Sequence, residues 1–192
     1  MRQKMKGSKI VKILIIGVLV VAVVLGFYYY LNHKEKEVQE ESAKITAVQN
    51  VLLKDLERSY PPTPKEVVKY YSEITKCFYN EEYSEEELLD LAQKIQELYD
   101  AELIANKTQE DYLTDLKSEI AQMKEKKCII SSYEISASTD VEFFTQNGYS
   151  CARLYCTYYL KQDAKTTSTM ECFVLRQDEE KHWKILGWDL AE

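Results

Sequence analysis

The run from Ile13 to Leu31, ILIIGVLVVAVVLGFYYYL, constrains this chain more than any other stretch. It holds no charged residue and no proline. As a helix, its ~19 residues would extend about 28 Å, close to the hydrocarbon thickness of a bilayer. A helix apolar on every side has no polar face to turn toward water. The run is therefore expected to be a transmembrane helix, with the lipid bilayer as the partner of residues 13–31.

Charge orients that helix. Arg2, Lys4, Lys6, Lys9 and Lys12 precede it, and no acidic residue does. Basic residues beside a span mark its cytoplasmic end. The expected organisation is a cytoplasmic basic tail over residues 1–12 and the span over residues 13–31. A stalk with a first helix follows over residues 32–59, then an extracytoplasmic domain over residues 60–192. The protein is thus expected in the cell membrane as a single-pass protein. Tyr28, Tyr29 and Tyr30 lie at the outer end, where amphipathic rings favour the headgroup layer. The competing reading is a cleaved signal peptide, cut near Val24-Leu25-Gly26. No Ala-x-Ala follows, and three tyrosines crowd that site. Both readings export the remainder of the chain.

That remainder is acidic. Five of the 25 basic residues precede the span, which leaves 20 against all 32 acidic ones, a formal net charge of about −12. Such a surface repels phosphate backbones, so nucleic acid is excluded as a partner. Five cysteines, Cys77, Cys128, Cys151, Cys156 and Cys172, form no Cys-x-x-Cys. They read as small buried hydrophobes. Cys156 and Cys172 are the one pair that a hairpin could bring together.

Residues 32–44 are charged and suit a solvated stalk. Ile45, Val48, Leu52 and Leu56 then recur at helical spacing and predict a first helix packing on the domain. The prolines of Tyr60-Pro61-Pro62-Thr63-Pro64 end it. Thr63 as N-cap, Pro64 at the first position and Glu66 as a capping-box partner open the next helix. Its apolar stripe is Val67, Val68, Tyr71, Ile74, Cys77 and Phe78. A capping box at Ser84 and Glu87 opens another helix, with Leu88, Leu91, Ala92, Ile95, Leu98 and Tyr99 inside. Thr108 and Asp111 cap a further one, carrying Leu113, Leu116, Ile120 and Met123.

After Cys128 the period changes to two. Strands are predicted over 129–135, 141–146, 149–161, 167–176 and 182–190. Asn147-Gly148 is a strong hairpin signal, because both residues tolerate positive φ. A two-residue turn there sets Val141 opposite Leu154, Phe143 opposite Ala152 and Glu142 opposite Arg153. In the third strand Ala152, Leu154, Cys156, Tyr158 and Leu160 point one way. Arg153, Tyr155, Thr157 and Tyr159 point the other. Helices followed by an antiparallel meander read as α+β, with helices covering one face of a curved sheet.

This order, with a closing strand Trp183-Lys184-Ile185-Leu186-Gly187-Trp188, resembles the nuclear-transport-factor-2-like superfamily, the cone shared with ketosteroid isomerase. The likeness covers residues 63–192. The chain is also similar to small single-pass ectodomain proteins of Gram-positive bacteria. The superfamily includes isomerases and dehydratases as well as non-catalytic modules, so the resemblance implies a fold and leaves activity open.

No catalytic constellation stands out. His182 is the one histidine of the folded region, because His33 lies in the stalk. No metal-ligand spacing occurs, and with only Gly148 and Gly187 beyond the span there is no glycine-rich phosphate loop. No cofactor is expected. The favoured reading is a non-catalytic binding or scaffold domain. Its partner is a protein, an envelope component or a small ligand, met by Tyr155, Tyr159, Phe173 and Trp183 on an open aromatic sheet face. The alternative is an isomerase- or dehydratase-type enzyme. It needs a carboxylate, Asp140 or Asp189, converging on a tyrosine among Tyr70, Tyr71, Tyr155 and Tyr159.

Overall fold

Capping geometry sets where each helix begins. In the computed structural model, which describes residues 45–191, α1 covers Ala47–Leu52. The Thr46 hydroxyl accepts the Gln49 amide, and the Gln49 side chain accepts the Thr46 amide in return. α2 covers Pro64–Asn80, with Thr63 accepting the Glu66 amide at 3.2 Å. The return arm of the expected capping box is missing, because the Thr63 hydroxyl donates to the Glu66 carboxylate instead. α3 covers Glu85–Gln96 behind a complete Ser84–Glu87 box. A short α4 (Ala101–Ala105) and a long α5 (Gln109–Glu125, capped by Thr108) complete the helices.

The expected tail, span and stalk, residues 1–44, lie outside the described residues. Among the described residues no helix is long and apolar enough to cross a membrane.

Five strands follow: β1 (Cys128–Ile135), β2 (Glu142–Gln146), β3 (Tyr149–Gln162), β4 (Lys165–Gln177) and β5 (Trp183–Leu190). The sheet is curved and antiparallel, in the order β1-β3-β4-β5. β1 pairs with the Cys156–Gln162 end of β3, and β2 pairs with its Tyr149–Arg153 end. One edge of a long strand is thus shared by two short ones. The Asn147-Gly148 turn has φ of 53° and 84°, as a two-residue hairpin requires. Phe143 faces Ala152 and Glu142 faces Arg153, the latter as an ion pair at 2.9 Å. Val141 stops short of the paired strand.

The helices bury their stripes on one face of this sheet. Val67, Val68, Ile74 and Phe78 of α2 meet Leu154, Phe173, Leu175 and Ile185 in one core. Each such side chain, fully withdrawn from water, contributes about 1.5–3 kcal/mol. Val48 and Val51 of α1 join the same core, but the helix is shorter than the Ile45-to-Leu56 spacing predicts: Ile45 precedes it and is exposed, and Leu56 is buried in the turn beyond it. Leu98 and Tyr99 are buried beyond the end of α3 rather than within it. There the chain runs alongside β5, and the Ile185 amide donates to the Leu98 carbonyl at 2.8 Å.

Two bulges reset the alternation. Ser131 is the extra residue of β1, and Leu186 that of β5. A bulge turns every later side chain to the opposite face. The register also separates the one cysteine pair that a hairpin could have brought together. Cys156 pairs with Glu171, and Cys172 pairs with Tyr155. Cys156 and Cys172 therefore point to opposite faces of the sheet, and all five cysteines are free thiols.

Candidate functional site

The inner face of β4 runs Thr169, Glu171, Phe173, Leu175. The last two close the core, while the first two lie where the helices stand off the sheet. There α2, α5 and the segment between α3 and α5 enclose a cavity of about 730 Å³. That volume is in the range of small-molecule sites. Its wall carries Tyr71 and Tyr79 from α2, Tyr112 from α5, Tyr158 from β3 and Trp188 from β5, with Tyr99 between helices. Tyr71 and Trp188 have ring centroids 5.3 Å apart, and Tyr99 and Trp188 5.7 Å. Phe173 lies beneath them, 5.2 Å from Tyr71.

The hydroxyls of this wall are not equivalent. Tyr79 donates to Glu119 at 2.6 Å, at the exposed end of the cavity. Ser72 is fully buried and donates to the Val68 carbonyl at 2.8 Å. Its one proton is thereby used, so Tyr158 donates to the Ser72 oxygen at 2.8 Å. The Tyr158 proton is committed to the floor and does not point at a guest. Burial holds the Tyr71, Tyr79, Tyr99 and Tyr158 phenols well above the usual range, so all four are neutral at ordinary pH.

Glu171 is the unusual group. It is half-buried opposite the fully buried Cys156. Burial first, and the Glu119 carboxylate second, push its carboxyl up to about 7. Among the described residues it makes neither a salt bridge nor a side-chain hydrogen bond. At the rim, Lys107 and Asp115 pair with each other at 2.6 Å. No cluster of three or more histidine, cysteine or carboxylate side chains among the described residues could hold a metal ion.

The four residues expected to meet a ligand or partner are not brought together. Tyr155 and Tyr159 are on the outer face, where Tyr155 is 40% exposed and Tyr159 donates to Glu134. Phe173 is fully buried on the inner face. Trp183 is buried beside Phe143, with its carbonyl accepting the Tyr60 hydroxyl at 3.0 Å. The outer face mixes Tyr155 and Met170 with Arg153, Glu134 and serines, so it is not the open aromatic surface expected. Of the residues considered for an enzyme, only Tyr71 lines the cavity. Tyr70 turns to the Val51 carbonyl. Asp189 pairs with Cys172 on the outer face, because the Leu186 bulge sends Trp188 inward in its place. Asp140 sits in a 3-10 turn before β2. His182 stacks on Tyr60 and its amide donates to Asp178, away from the cavity.

The residues missed were Glu171, Glu119, Tyr79, Tyr112 and Trp188. Glu171 was legible, since it shares the parity of Phe173 and Leu175 along β4. Tyr112 and Glu119 flank Leu116 at i−4 and i+3 on α5, one polar-edged stripe. Trp188 was marked only indirectly, by the isolated Gly187 inside the strand, which signals a bulge without fixing the register that re-aims the next side chain.

No curated protein matches the sequence. A family model matches residues 1–188, nearly the whole length. The chain belongs to the family described as Domain of unknown function (DUF6715).

Proposed function

We propose that this chain is a single-pass membrane protein that presents residues 45–191 outside the cytoplasm as a non-catalytic, small-ligand-binding domain. The observation that carries the binding role is the aromatic-walled cavity of about 730 Å³ between helices and sheet. The apolar run of residues 13–31 and its basic flank support the membrane placement. The finer fold reading, a nuclear-transport-factor-2-like cone, is supported by helices preceding the sheet and by the long β3 edge shared by β1 and β2.

One observation favours the enzymatic alternative. Glu171 is a carboxyl poised near neutrality in a cavity rich in tyrosine. Against it, Tyr79 pairs with the exposed Glu119 and Tyr158 is committed to Ser72. Among the described residues no phenol hydrogen-bonds Glu171, so they do not bring together the acid and donor that proton transfer needs. Binding therefore explains more of the site than catalysis does.

The test uses the full-length protein extracted in non-ionic detergent and titrated with Nile red, a neutral apolar dye. Saturable uptake that is lost in Thr169→Trp, which fills the cavity, is expected. Uptake equal in both proteins overturns the binding reading. Exposure of the C-terminus to external protease in intact cells tests the placement. Full protection, with the chain in the cytosolic fraction, overturns it.

A further inference from the structure

We propose that the cavity takes an organic cation, a quaternary or alkylated ammonium group, held between its aromatic faces and the carboxylates of Glu171 and Glu119. The inference rests on the cavity being a binding site and adds the chemical class of what enters.

Charge complementarity carries it. Four charged residues line the cavity: Lys107, Asp115, Glu119 and Glu171. Lys107 and Asp115 neutralise each other at the rim. Glu119 and Glu171 remain, and among the described residues neither has a cationic partner. Glu119 is met by the neutral Tyr79 hydroxyl alone. The Glu119 carboxylate at the exposed end repels the half-buried Glu171, and that cost is relieved by a positive charge placed between them.

The walls decide which positive charge. A small inorganic cation requires a shell of oxygen ligands, and among the described residues three or more suitable side chains do not converge. An alkylated ammonium is weakly hydrated and binds to the faces of tryptophan and tyrosine through the ring quadrupole. Trp188, Tyr71 and Tyr99 all line the cavity, tilted 39–55° to one another with centroids 5.3–6.3 Å apart, and the parts of these rings not packed on a neighbour are what a cation would meet. With their protons retained, the phenols add no negative charge that would compete. The volume exceeds what a bare ammonium head needs, so the guest carries an apolar body as well.

Calorimetry on the full-length protein in non-ionic detergent tests this with two isosteric probes. Benzyltrimethylammonium carries the charge, and neopentylbenzene has the same shape without it. The cation is expected to bind saturably, roughly tenfold or more tighter than the neutral probe. Glu171→Gln is expected to erase that preference, bringing the affinity for the cation down to that for the neutral probe. If the neutral probe binds as tightly as the cation, the cation assignment is overturned and the cavity reading stands. The same holds if the cation fails while Nile red enters, or if Glu171→Gln keeps the full preference. If neither probe nor the dye enters, both readings are overturned together.

Discussion

Replacing Glu171 by glutamine should make the folded protein more stable, and the gain should depend on pH. The carboxyl is raised from 4.5 to about 7 by burial and by Glu119. Unscreened, a shift of that size corresponds to between about 3 and 4 kcal/mol. The side chain is only half-buried, and water screening reduces the figure to roughly 1–3 kcal/mol. A raised acid binds its proton more tightly folded than unfolded. Below pH 4.5 both states are protonated and the wild type suffers no penalty. As pH rises from 4.5 to about 7 the unfolded chain gives up the proton first, and stability is lost over that window. Above it the penalty is constant. Glutamine does not titrate and keeps nearly the shape of the neutral acid. The difference between variant and wild type should therefore be near zero at pH 4 and reach roughly 1–3 kcal/mol by pH 8.

The other groups around Glu171 do not blur the reading. Glu119 and Asp115 come from α5 and Lys107 precedes it. Tyr71 and Tyr79 come from α2, and Cys156 and Tyr158 from β3. The phenols and the Cys156 thiol are held neutral by burial across the window. The carboxylates and Lys107 are common to both proteins. Urea unfolding followed by tryptophan fluorescence, run at several pH values, gives the difference directly. A variant less stable than wild type at pH 8, or a difference that does not change with pH, would refute the account of Glu171. A Glu171→Gln variant that gained stability and lost the proposed cation preference would show the trade between stability and function that is usual at working sites.

Three further outcomes follow from the same structure. Arg176→Leu should cost about 2–4 kcal/mol in chemical denaturation. It strands Asp100, a carboxylate only 4% exposed that Arg176 grips at 2.5 and 2.9 Å, and adding Asp100→Asn should recover part of the loss. Gly148→Ala should cost about 1–2 kcal/mol from backbone strain alone, since φ is +84° and nothing lies within 4 Å of the added methyl. Of the five thiols, Cys128 and Cys172 should react with a thiol reagent in the native protein, while Cys77, Cys151 and Cys156 stay protected until unfolding, as counted by mass spectrometry. All three protected thiols are buried, and burial pushes Cys77 up to about 11.

Much of the fold was readable before any coordinates. Thr63-Pro64 and Ser84-x-x-Glu87 announce helix starts because an orphan amide must find an acceptor within three residues. Asn147-Gly148 announces its hairpin because positive φ is a local property. The inward residues of β3 follow from strict alternation, which holds wherever no bulge intervenes. The inward stripe of α2 follows from its period in the same way.

The site was a different matter. Local rules predict which side of an element a residue occupies, and they say nothing about where two elements stand apart. The cavity exists because α2, α5 and the segment between α3 and α5 do not close on the sheet at Thr169 and Glu171. Trp188 lines it because Leu186 is an extra residue in β5, and the cost of that bulge is settled by pairing with β4. The same register separated Cys156 from Cys172 and sent Asp189 outward. Sequence by itself determined the apolar run, the acid excess, the caps, the turn and the α+β order, all of which depend on neighbours along the chain. Tertiary structure alone decided the aromatic cavity and its uncompensated glutamate, because the distances that make them are distances between segments.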